Sequence, residues 1–125
     1  MFDKVGLVDE ALQIALRGLS LRQRVIANNV ANVDTPGFKA SEVHFETQLR
    51  RALASRQQSP AAALAEVSPT VEQLTGTTIR ADGNNVDIER ELLLLTETSL
   101  RYGAVARTLS GRLALLQTIL TDGRR

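Results

Sequence analysis

The sequence predicts an all-α protein: two long amphipathic helices, N- and C-terminal, pairing as a coiled-coil-like hairpin, with a long irregular or partly β middle segment. Three observations predict it. Val5, Leu12, Leu19, Ile26 and Val33 recur every seven residues. Ile88, Leu92, Leu95, Ser99, Tyr102, Ala106, Leu109, Leu113, Leu116 and Leu120 alternate spacings of four and three without a slip. Between these stretches, all three prolines (Pro36, Pro60 and Pro69) break any period.

The first helix is expected within residues 1–33. Val8, Ala15, Leu16 and Val30 fill the i+3 and i+4 positions beside the heptad line. Asp3, Asp9 and Glu10 lie near its start and Arg22 and Arg24 later, as the helix dipole favours. Gly18 is a weak point, costing about 1 kcal/mol against alanine. The pattern ends in NNVANVDTPGFK (28–39). Thr35, Pro36 and Gly37 fit a type II turn, with proline pre-set at the first central position and glycine supplying positive φ at the second. Asn28 and Asn32 share a helix face, with Asn29 beside them. Spacing leaves two uses open for the three amides: capping the helix end, or bonding another chain and fixing its register.

Residues 34–85 are expected to connect the helices irregularly, with turns and short strands. They hold the polar run SRQQS (55–59) and the alanine-rich PAAALA (60–65). Thr77 to Ala81 reads as a strand before an Asp82-Gly83 turn, and Leu49 to Arg56 as a helical turn or two. A connection this long without strong periodicity reads as a surface-wrapping or partly disordered segment. The last helix is expected over 86–122, with Asn85 as its N-cap, acid at Asp87, Glu89 and Glu91, and a stop at Gly123. Its 3.5-residue period marks a coiled-coil seam. At 1.5 Å per residue it is about 54 Å long, whereas a compact globule of this size is roughly 36 Å across. Apolar stripe is left over, to be covered by other copies of the chain or by a different helical protein.

The chain has 125 residues, 43% hydrophobic, but only three Phe and one Tyr. Its apolar content is the Leu, Val and Ala of helix packing more than the lining of a ligand pocket. A net charge of +1 provides no long-range field for nucleic acid or anionic membrane. No cysteine is present, so disulfides and thiolate metal sites are excluded. No window approaches the ~18 apolar residues of a membrane span, so no integral membrane protein is expected. The first thirty residues lack the pattern of a cleaved secretory signal. His44, the only histidine, sits between Val43 and Phe45 with no nucleophile motif or second ligand near it. DGNNVD (82–87) fails as a calcium loop, because Val86 takes a ligand position and Leu93 the closing one. Arg50, Arg51 and Arg56 cluster without interleaved aromatics, which reads as solvated loop charge. No enzyme, cofactor or metal is expected. Composition and periodicity leave two kinds of protein open: an assembly subunit, or a cytosolic helical adaptor or chaperone.

ANNVANVDTPGFK (27–39), closing the N-terminal helix, resembles the signature of the bacterial flagellar rod and hook protein family. GNNVDIERELLLLTETSLRYGAVARTLSGRLALLQTIL (83–120) is similar to the short, proximal rod branch of that family, which lacks the inserted β-rich domain of its longer relatives. The resemblance covers about 1–50 and 82–122. It departs at Thr98, where relatives often carry Asn. It implies a structural subunit, exported unfolded and uncleaved by the flagellar type III secretion apparatus. Such subunits polymerise into the periplasmic rod with their terminal helices paired in the inner layer of the tube. The implied partners are other copies of itself, other rod proteins, and the adaptor FliE and the export gate at the rod base. The implied subunit-interface residues are Leu12, Leu19, Ile26, Asn28, Asn29, Asn32, Leu92, Leu95, Tyr102, Leu109, Leu113 and Leu116.

Overall fold

The computed structural model describes residues 2–123. The elements run α1 (Phe2–Ala31), β1 (Ser41–His44), α2 (Glu46–Ala54), α3 (Pro60–Ala65), β2 (Thr70–Gln73) and α4 (Ile88–Asp122). The chain is mostly helical, and α1 and α4 are its two long members. They run antiparallel side by side: Arg112 Nε donates to Asp9 Oδ1 at 2.6 Å, Gln23 Nε2 to Ser99 Oγ at 3.3 Å, and Asn29 Nδ2 to Glu91 Oε2 at 3.1 Å.

The phase of α4 differs from the leucine stripe read in the sequence. Its buried residues are Glu91 and Thr98. Val105 packs on the Leu19 cluster, and Arg112 reaches Asp9 and the Val5 carbonyl. These four positions, seven apart, form the line facing α1. The leucine stripe lies to one flank of it: Leu95, Leu109 and Leu116 are half-buried, while Leu92 and Leu113 stay exposed. A hydrophobic period identifies the amphipathic helix but not which side its own chain covers, and polar contacts set the register here.

The middle segment is ordered where a loose wrap was expected. Pro60 opens α3 at its first turn, and Ser59 caps it by accepting from Ala62 N–H. Ala52 of α2 with Ala63 and Leu64 of α3 then cluster with Ile14 of α1, flanked by Leu7, Ala11, Leu49 and Val67. The alanine run is thus a docking face, and α3 is too short for its periodicity to show. The strand lies at 70–73, not 77–81. It pairs antiparallel with β1, Val43 opposite Val71. Residues 77–81 are held away from the sheet by Asn84 and Asn85, whose bonds are described below.

Gly18 has a packing role. Phe45 is 2% exposed and clusters with Leu19 and Val43. A Cβ on Gly18 would lie 2.5–2.7 Å from three atoms of the Phe45 ring. Arg22 also lies over the ring, its guanidinium carbon 5.1 Å from the ring centroid. The glycine that weakens α1 as a helix thus makes the socket that seats the connection after β1. Gly18→Ala should cost roughly 1–3 kcal/mol by overpacking, read as a lower melting temperature. The same change in a Phe45→Ala background should cost far less; equal costs in both would refute the socket.

Candidate functional site

Among the described residues no group of three or more His, Asp or Glu side chains converges as a metal site would. His44 is exposed on β1, its Nε2 3.7 Å from Glu42 and 4.0 Å from Glu72, without a nucleophile beside it. A groove of about 190 Å³ lies between α1, α4 and β1, with Val25, Ile26, Val43, Leu94 and Thr98 in its wall. Of its charged wall residues, Glu91 accepts from the Asn29 amide and the others form ion pairs. Arg22 donates to Glu46 Oε2 at 2.7 Å and to the Val43 carbonyl at 2.8 Å, Arg90 bonds Glu42, and Arg101 bonds Glu97 at 2.6 Å. Burial alone would raise the Glu46 carboxyl, but its bond and charge contact with Arg22 outweigh this and hold it below the ordinary range.

What the fold does build is a junction of asparagines at the end of α1. α1 ends at Ala31, and the turn beyond it is tied to a segment distant in the sequence: Asn84 Nδ2 donates to the carbonyls of Asn32, Val33 and Thr35 at 2.8, 3.1 and 2.9 Å. Its Oδ1 accepts from Val86 N–H at 2.7 Å, and its side chain is wholly buried. Arg80 adds a bond to the Val33 carbonyl. Asn85 works one residue on, accepting from Ala40 N–H at 2.6 Å and donating to Leu74 O and Thr77 Oγ1, each at 3.0 Å. The N-cap of α4 is therefore not Asn85 but Asp87, whose Oδ1 accepts from Glu89 and Arg90 N–H. Asn85 lies three residues before α4 begins, beyond reach of its first amides, and its amide is spent on the middle segment.

Thr35, Pro36 and Gly37 form the turn that brings the chain back. Phe38 N–H donates to Thr35 O at 3.3 Å and Gly37 has φ +74°. Gly37 N–H then donates to Asp82 O at 2.8 Å, and Lys39 bonds the Gly83 carbonyl. Gly83, φ +83°, passes so near that a Cβ would stand 3.4 Å from the Gly37 Cα. The two phrases with a shared Asn-Asn-Val-Asp flavour are in contact, each closing the other.

The three N-terminal asparagines divide. Asn29 is 0% exposed and bonds Ser41 N–H (3.0 Å), Ser41 O (2.8 Å) and Glu91. Its amide is taken up within its own chain. Leu19 and Ile26, each 3% exposed, are likewise covered within the monomer. Asn28 is exposed, and Asn32 bonds back to the Asn28 carbonyl at 2.8 Å while accepting from Thr35 Oγ1. Leu12, Leu95, Leu109 and Leu116 are half-buried between the helices, and Leu92, Tyr102 and Leu113 are on the surface. Sequence reasoning missed Asn84, Glu91 and Gly18. The signal for Glu91 was an acid at the core spacing of α4, four before Leu95 and seven before Thr98.

Burial pushes the Glu91 carboxyl above its ordinary range; the bond from Asn29 and the charge of Arg90 oppose this, and Glu42 and Asp87 add to it. A raised folded-state pKa means that the folded chain holds this proton more tightly than the unfolded chain. Its stabilising effect is full below the ordinary carboxylate range and is lost as pH rises through the raised value.

Outside the junction, α4 leaves large apolar side chains in the open. Leu93 and Leu100 are each 69% exposed, Leu115 62%, Ile119 58% and Leu120 71%. Single exposed leucines are ordinary, but a run along one helix marks an interaction surface. No helix of the described residues is long and apolar enough to cross a membrane.

A family model for flagella basal body rod proteins matches residues 11–39, which span most of α1 and the turn after it. The chain is 30% identical to the flagellar basal body rod protein FlgB of Escherichia coli, over 98% of this chain and 99% of the relative. It is 29% identical to FlgB of Bacillus subtilis over 90% of this chain and 92% of the relative. To FlgB of Borrelia hermsii it is 37% identical over 67% of this chain and 73% of the relative.

Two outcomes test the junction. Asn84→Ala takes a donor from three carbonyls and leaves the buried Val86 N–H unpaired, and should cost roughly 1–3 kcal/mol, with amide exchange quickening first at residues 29–35; unchanged exchange there would refute the tie. Glu91→Gln keeps an acceptor for Asn29 without the charge, so it should raise the melting temperature at neutral pH. That gain should vanish in acid below the ordinary carboxylate range, and a gain independent of pH would exclude the ionisation penalty.

Proposed function

Because the chain belongs to the FlgB family of flagellar basal body rod proteins, and so is a structural subunit of the rod and not an enzyme, we propose that it polymerises through its two terminal helices. It reaches the rod through the flagellar type III export apparatus, without cleavage of a signal peptide. In the periplasmic rod it meets other copies of itself and other rod proteins, with FliE and the export gate at the base.

The observation that carries this reading is the unequal cover of the two long helices. α1 has α4 on one side and β1, α2 and α3 packed against it as well, whereas α4 contacts α1 alone at comparable extent. The leucines left on α4 are more than half exposed among the described residues, Leu92 by 51% and Leu120 by 71%. Leu92, Tyr102 and Leu113 lie on this free surface and are assigned to contacts between subunits, with Asn28 beside the helix end. Half-buried Leu12, Leu95, Leu109 and Leu116 make the seam that such contacts would complete as a coiled coil. Burying each exposed leucine fully contributes about 1.5–3 kcal/mol, set against the cost of ordering the subunits.

Leu113→Asp tests the assignment. Leu113 is 54% exposed, so the change should leave the monomer's stability within about 0.5 kcal/mol of the parent. The variant should appear outside the cytoplasm at parental level yet be missing from isolated basal bodies, and cells should lose motility. Parental incorporation of the variant would rule out this face.

A further inference from the structure

The two-stranded sheet has one closed edge and one open edge. On β1, the backbone groups of Ser41 and Val43 point away from β2 and are taken by side chains of α1. Asn29 brackets Ser41 through both its N–H and its carbonyl, and Arg22 Nη2 bonds the Val43 carbonyl at 2.8 Å. Residues directly opposite in an antiparallel pair alternate between exchanging both backbone bonds and exchanging none. Gln73 and Val71, opposite Ser41 and Val43, therefore also turn their N–H and carbonyl groups outward, to the free side of β2. Among the described residues nothing bonds to those groups. All of β2 is exposed, Val71 by 52%. An open edge with an exposed β-branched side chain is a template for another strand.

The same chain carries a strand-like segment with no pairing. Thr77, Thr78 and Ile79 are β-branched, Ile79 is 53% exposed, and the backbone groups of Thr78 and Ile79 have no partner among the described residues. Only Leu74, Thr75 and Gly76 separate the segment from β2, yet it does not fold back as a hairpin. Asn85 grips Leu74 O and Thr77 Oγ1, and Arg80 N–H donates to Asn84 O at 2.9 Å, so both ends are pinned to the junction.

We propose that the open edge of β2 in one subunit pairs with residues 77–81 of a second copy, setting Val71 beside Ile79 of the neighbour. Two different patches meet, so the contact is heterologous and can repeat without closing, as a rod requires; β2 against β2 would be isologous and would stop at a pair. The proposal rests on the reading that the subunit polymerises with itself.

The absence of cysteine in the chain makes the test direct. V71C and I79C would be co-expressed as single variants, and basal bodies isolated, oxidised and probed for the subunit. One disulfide-linked dimer should form from the mixture and neither variant alone should give it, while the V71C/I79C double variant should give a ladder. A link within one chain, a V71C–V71C dimer alone, an adduct of another size, or no link in basal bodies holding both variants would each overturn the pairing and leave the assembly reading standing. Absence of the unmodified chain from basal bodies would overturn both. Val71→Pro is the second arm, since its N–H points away from β1 and the existing ladder is spared. It should leave the melting temperature near that of the parent and lower incorporation by about tenfold, the equivalent of one or two net backbone hydrogen bonds. Undiminished incorporation would overturn the pairing.

Discussion

The turn that follows α1 is the constraint on which the rest of the molecule depends. A helix that stops against a returning chain leaves backbone polar groups beyond its end, and a buried amide placed there must find partners. Here the wholly buried amide of Asn84, about fifty residues further along the chain, donates to the carbonyls of Asn32, Val33 and Thr35, with Arg80 beside it. Satisfying that end fixes where the second half of the chain must pass. It places the Thr35–Gly37 turn against Asp82 and Gly83, sets Asn85 between Ala40 and Leu74, and delivers Asp87 to the start of α4. The antiparallel register of the hairpin follows from this anchor and is repeated down its length by Gln23–Ser99 and Asp9–Arg112.

Much of this was legible in the sequence and some was not, for physical reasons. The two long helices were legible because their apolar periods are sustained over many turns, and the bounds of α1 and α4 fall near the ends of those periods. The phase of α4 was not. Leucine spacing reports every apolar face a helix needs, those that meet its own chain and those that meet another. The residues that decide its orientation here, Glu91, Thr98 and Arg112, are polar. The turn at Thr35–Gly37 was legible because proline and glycine constrain the backbone locally. Asn84 and Asn85 looked like residues of a helix start, since local chemistry cannot reveal an amide whose acceptors lie in a distant segment. In the middle, α2, α3 and the strands are too short for a period to form, and they are held by contacts with α1 that no window of sequence contains.

Gly18 and Phe45 show how a local weakness and a global need can be one feature. Taken alone, the glycine weakens a helix; in the fold it admits the ring that directs the chain from β1 into α2. Arg22 then closes over the ring and reaches both Glu46 and the Val43 carbonyl, joining helix, strand and next helix through a single side chain. The result is a division of labour between the long helices. α1 is the internal scaffold on which the chain folds, and α4 keeps much of its apolar surface exposed.

The junction also has a consequence in time. Its long-range bonds join residues 29–41 to residues 80–91, so they cannot close until that second segment is present. A chain that begins to fold before its second half is present leaves α1 without these ties, and contacts this distant in sequence close slowly. The order of residues along the chain thus delays the locking of α1 against α4 until most of the molecule is present.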